Sequence, residues 1–187
     1  MWTWNPQSYP PAVQQLLEQM PLSELGPGHP QRAVYQQLKG VDHRSLLGDR
    51  PVTDAAMADA CLAGLWLAFD YLDESHTISQ AISSSTGSYW HGIMHRREPD
   101  YENAKYWFRR VGRHPIESEL ARQVTQITHT LSAGNVDLPA IGSTWNAIGF
   151  VDQCRQASRA GGTLAAWCRQ VALAEWRLLF DYSFLHS

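Results

Sequence analysis

The chain has 187 residues, with 15 Lys and Arg against 18 Asp and Glu, a formal net charge of −3 and 44% hydrophobic residues. That balance excludes a disordered chain and argues against a nucleic-acid binder held by charge alone. No stretch approaches the ~18 consecutive apolar residues of a membrane-spanning helix, so no membrane partner is expected.

The length suits one domain with a real core, and residues 1–187 read as a single unit. Residues 1–50 read as short helices and turns, and 51–187 as the main bundle. The opening MWTWNPQSYPP has neither a basic nor an apolar leader segment, so no signal peptide is expected. Three scattered cysteines, Cys61, Cys154 and Cys168, form no CxxC motif. Free thiols and a cytoplasmic location are the expectation.

In chain order, Pro and Gly crowd the first fifty residues, leaving candidate helices at Ala12 to Met20 and Pro30 to Lys39. The longest periodic segment runs from Asp54 to Ile82. Ala58, Cys61, Leu62, Leu65, Trp66 and Phe69 recur at three- and four-residue spacing, Thr53 is its expected N-cap, and it reads as a long central helix. Ser83 to Gly87 breaks it. A helix from Tyr89 to Arg97 must end before Pro99. Asp100 caps the next, Tyr101 to Val111, and Gly112 stops it. Pro115 opens another, with Leu120, Val124, Ile127 and Leu131 as its stripe. Ser132 to Ser143 reads as a loop. Helices from Thr144 to Ala160 and Thr163 to Tyr182 flank Gly161-Gly162. No sustained alternation argues for strands. The expected fold is all-α, about seven or eight helices around a long central one.

Polar chemistry concentrates between Asp70 and His114, which holds four of the eight histidines. Asp73, His76 and Gln80 share one helical face, where Asp73 can orient His76; a helix emerging into solvent gives the same pattern. His91 and His95 stand one turn apart, a spacing that suits two metal ligands. Glu98 is a third candidate ligand, and His76 the natural extra one from the neighbouring helix. Two histidines and a carboxylate leave open positions, as a catalytic divalent ion requires. The same histidines serve equally as metal-free acid and base groups, because their ordinary pKa lies near neutrality, or as structural residues.

Tyr106-Trp107-Phe108 makes the following helix apolar on several faces. Arg109 and Arg110 either pair with Glu98, Asp100 or Glu102, or hold a substrate carboxylate or phosphate. Asn103, Tyr106, Trp107 and Arg96 complete the candidate ligand-binding set. No G-x-S-x-G elbow, phosphate loop or dinucleotide fingerprint occurs.

The run WHGIMHRREPDYENAKYWFRRVGRHP, Trp90 to Pro115, resembles the signature of an uncharacterised family of bacterial proteins with fungal relatives. Its block reads His-x-x-x-His-Arg-x-Glu-x-Asp-x-x-Asn-x-x-Tyr-Trp, with an upstream segment like Asp73-Glu74-Ser75-His76. The resemblance implies that this block is the family's signature and supplies no substrate or cofactor.

Three functions follow from these residues. The first is an acid/base or metal-assisted, hydrolase-like enzyme for a small anionic molecule, with His76, His91, His95 and Asp73 as its catalytic groups. The second is a non-catalytic binder of such an anion. The third is a structural protein whose motif is a buried polar network, with Trp2, Trp4, Trp167 and Trp176 forming a homo-oligomer surface.

Overall fold

In the computed structural model, which describes residues 2–132, 138–139 and 144–187, ten α-helices and two short 3-10 turns form the chain, with no strand among the described residues. Most of the loop expected over 132–143 lies outside those residues.

The N-terminal third is punctuated as its prolines require. Helix α1 (Pro11–Gln19) starts on Pro11 and buries Val13, Leu16 and Leu17. Helix α2 (Tyr35–Lys39) continues a 3-10 turn at Arg32–Val34. Helix α3 (His43–Leu47) opens with a capping box between Asp42 and Ser45.

The long helix expected from Asp54 to Ile82 is two helices, α4 (Ala55–Ala68) and α5 (Leu72–Ser79). Its cap is Asp54, which accepts from the backbone N–H groups of Ala56 and Met57, rather than Thr53. The break falls at Asp70, whose φ is +67°. Asp70 is held there by partners remote in sequence. It accepts from the His29 N–H at 3.0 Å and from Arg97 Nη2 at 2.5 Å, while Arg97 Nε donates to the Gly26 carbonyl.

Helix α6 (Ser85–Arg97) is the buried axis of this region. Every residue from Thr86 to Arg97 is buried, including His91, His95, Arg96 and Arg97. A helix enclosed on all sides must find partners for its polar groups within the protein. Gly64 of α4 lets α6 approach, since a Cβ there would lie 2.7 Å from the Trp90 ring. Helix α7 (Tyr101–Val111) packs against α6 along Ala104, Phe108 and Val111. Asp100 caps it through the Asn103 N–H, and Gly112 ends it with φ +67°, a conformation that favours glycine.

Helices α8 (Glu117–Ser132), α9 (Ala147–Ala160) and α10 (Gly162–Leu185) close the bundle. The long central helix is α10, at 24 residues, which packs against α4, α8 and α9. Its Asp181 accepts from Trp2 Nε1 at 2.7 Å and the Tyr9 hydroxyl at 2.8 Å, tying down the N-terminal segment. Trp4 packs edge-on against Trp176 at 6.0 Å, and Trp167 is buried. These tryptophans are therefore engaged within the chain. All three cysteines are free and buried.

Candidate functional site

Two helices deliver the histidine cluster. His76 comes from α5, and His91 and His95 from α6. One ring nitrogen from each lies within 4.8 Å of the other two. His91 Nε2 and His95 Nε2 stand 2.9 Å apart. His76 meets both rings edge-on, with centroids 4.7 Å from His91 and 5.3 Å from His95.

The surroundings orient these rings. Glu98 caps α6 just beyond its last turn, and its Oε2 lies 2.9 Å from His95 Nδ1. That contact fixes the proton on Nδ1 and leaves the Nε2 lone pair toward His91. Glu98 therefore stands behind His95, away from the convergent nitrogens where the sequence places it as a third ligand. The chain turns back after α6, so three residues of spacing bring the carboxylate to the far nitrogen. His76 takes the third corner instead.

Helix α7 covers the cluster with Asn103 and Trp107, one turn apart. Asn103 Nδ2 lies 3.0 Å from His95 Nε2. Trp107 lies flat on His91, with centroids 3.9 Å apart and planes at 16°. Arg110 reaches over the Trp107 ring at 5.3 Å, and its Nη1 donates to the Tyr106 hydroxyl at 3.4 Å. Arg110 and Tyr106 are exposed.

Burial decides the charge state. It pushes His91 down from the ordinary 6.5 to about 3, with His95 and His76 adding to the effect. Burial also lowers His95, against the opposing pull of Glu98. Both are neutral imidazoles at neutral pH, the form that binds a metal. The Nδ1 of His91 is buried without a hydrogen-bond partner.

The remaining candidates lie elsewhere. Asp73 and Gln80 are exposed, and no hydrogen bond joins either side chain to His76 among the described residues. Asp73 sits in the first turn of α5, where the helix dipole favours an acid. Arg109 is exposed and apart from the cluster. Arg96, next to His95 in sequence, points to a different set of partners. Its Nη2 meets Glu175 Oε2 of α10 at 2.5 Å, and its guanidinium stacks over Phe150 at 4.6 Å. Burial works against the Arg96 charge, and Glu175 more than restores it. Tyr89 donates to the other Glu175 oxygen at 3.0 Å, and Trp145 Nε1 donates to the Tyr89 hydroxyl at 2.9 Å. Neither Glu175 nor Tyr89 stands out in the sequence, because their partners lie on other helices.

Searches of protein-family models, curated proteins and solved structures gave no match to this chain.

Proposed function

We propose that His76, His91 and His95 bind one divalent transition-metal ion and that the protein is a metal-assisted, hydrolase-like enzyme acting on a small anionic molecule. The observation that carries this reading is the convergence of one ring nitrogen from each of three histidines on one point, with a carboxylate behind one of them. Three histidines with an open fourth position are a donor set suited to catalytic zinc. His76, His91 and His95 would hold the ion through one ring nitrogen each, with the His91 and His95 nitrogens, 2.9 Å apart, separating slightly to share it. Such an ion lowers the pKa of a bound water to about 7 and supplies a nucleophile at neutral pH. Arg110 and Tyr106, exposed and hydrogen-bonded to each other, would hold the anionic group of the substrate, as guanidinium forks do. Burial of His91 under Trp107 keeps protons from competing with the metal.

A second reading, a metal-free structural network, draws on one observation. His95 already has Glu98 on Nδ1 and Asn103 on Nε2. Cobalt substitution separates the two. The metal reading expects one Co²⁺ per chain, with the visible absorption of a tetrahedral nitrogen site that is lost in His76→Ala. Loading must also confer hydrolysis on some member of a panel of phosphate and carboxylate esters. Absence of the spectrum removes the metal. A spectrum without turnover on any anionic ester reduces the protein to a metal-dependent binder.

A further inference from the structure

A groove between the N-terminal segment, α8 and α10 contains none of the three histidines. It is lined by Trp2 and Trp4, by Gln123 and Ile127 of α8, and by Leu173 and Arg177 of α10. Its volume is about 310 Å³, at the lower end of the roughly 300–1,000 Å³ of small-molecule sites. The protein itself fixes the two indoles. Trp2 Nε1 donates to Asp181 at 2.7 Å, and Trp4 packs edge-on against Trp176 and Phe180. The Trp2 and Trp4 ring centroids lie 6.3 Å apart.

Arg177 supplies the charge. Its guanidinium lies over the Trp4 ring, 5.5 Å from the centroid, which places it beside the aromatic lining of the groove. The side chain is half-buried, and burial works against its charge. Arg96, Arg97 and Arg169 meet the same cost with Glu175, Asp70 and Glu24. Arg177 has no such partner among the described residues. The acids nearby in sequence are already engaged. Asp181, one turn on, gives its two oxygens to Trp2 and Tyr9, and Glu175 holds Arg96 and Tyr89. Glu119, one turn before Gln123, pairs with Arg122. Arg177 Nε is enclosed. The two Nη groups take no acceptor among the described residues and are the donors left to a ligand.

We propose that this groove binds a small aromatic monocarboxylate. Its oxygens accept from the Arg177 Nη groups, and its ring lies among Trp2, Trp4, Ile127 and Leu173. A guanidinium fork matches a carboxylate, and indoles favour offset or edge-on aromatic partners. Arg177 is the single cationic residue of the lining, so the charge suits a monoanion. A phosphate dianion would lack a second cation and would press oxygens against hydrocarbon. This site is independent of the metal reading.

The test is titration of the full chain with benzoate, phenylacetate and indole-3-acetate, and separately with benzamide, acetate and inorganic phosphate. Heat and the indole N–H signals of Trp2 and Trp4 in NMR are followed. One aromatic acid should saturate a single site and shift both indole signals. Benzamide and acetate should each bind at least about tenfold more weakly, since one lacks the charge and the other the ring. Arg177→Met should weaken binding at least about tenfold through loss of a charge-assisted donor, with helical content intact. The benzamide comparison uses the parent chain alone, so it holds whatever the fold of the variant. Arg110→Met and a chelator should leave the affinity unchanged, which separates this outcome from that of the histidine cluster. No saturation below about 10 mM, equal affinity for benzamide or in Arg177→Met, a loss in Arg110→Met, or a preference for phosphate overturns the proposal.

Discussion

Glu98 and His95 face each other at 2.9 Å across the end of α6, carboxylate oxygen to Nδ1. The pair sets which nitrogen of His95 carries the proton, and so which one is free for a ligand. Half of the Glu98 side chain is exposed, so its contribution to stability is small and its contribution to the site can be measured separately. Glu98→Gln keeps the size of the side chain but lets the amide present either face to Nδ1. Metal affinity should fall roughly 10–100-fold, as for other second-layer partners of ligand histidines, with little change in the urea midpoint. Unchanged affinity in a chelator competition would show that Glu98 does not orient the ring.

The buried pair Arg96–Glu175 predicts a stability effect of another scale. Glu175 is fully buried and takes both Arg96 and the Tyr89 hydroxyl. Glu175→Ala leaves a buried cation unpaired and the Tyr89 O–H without its acceptor, and should cost about 3–5 kcal/mol. The double variant Arg96→Met/Glu175→Leu should recover most of that loss, because neither charge remains. Urea denaturation of the two variants checks both statements.

His114 predicts an acid-sensitive fold. The ring is buried, with its Nε2 3.1 Å from Thr86 Oγ1, the Ile116 N–H on its Nδ1, and tyrosines 89 and 182 against its faces. Burial, with His186 nearby, pushes it down from 6.5 to about 4. Between those values the unfolded chain takes up a proton that the folded chain refuses. Stability is therefore full above about pH 6.5 and falls as pH drops toward 4, by at most about 1.4 kcal/mol per pH unit from this residue. His114→Gln should be less stable at pH 7 yet show a shallower decline. Equal slopes in variant and parent would exclude His114 as a source.

Gly64 tests the packing that sets α6 in place. A Cβ there meets the Trp90 ring at 2.7 Å, and Trp90 is fully buried. Gly64→Ala should cost about 1–3 kcal/mol by overpacking, read as a lowered Tm.

Much of the fold was legible because helix signals are local. Asp100 and Gly112 bound α7 as the sequence indicates, and the spacing of His91 and His95 brings them together on α6. The split between α4 and α5 was not legible. No Gly or Pro marks it beyond Gly64, and Asp70 is held in its turn by Arg97 and His29, both far away in sequence. The same cause hid Glu175. A carboxylate 79 positions from Arg96 looks in the sequence like one more acid in an amphipathic helix. Asp73 shows the converse. Its spacing matches His76, but the first turn of α5 leaves it at the surface. Of the tryptophans read as an oligomer surface, Trp167 and Trp176 are buried, while Trp2 and Trp4 are half-buried against α10, where Asp181 holds residues 2 and 9.

The most direct test of the central claim is the metal content of untagged protein after incubation with Zn²⁺ and gel filtration, beside the His91→Ala/His95→Ala double variant. The three-histidine site predicts about one equivalent of zinc in the parent and less than about a tenth in the variant, with the variant still helical by circular dichroism. Equal zinc in both, or none in the parent, would contradict it.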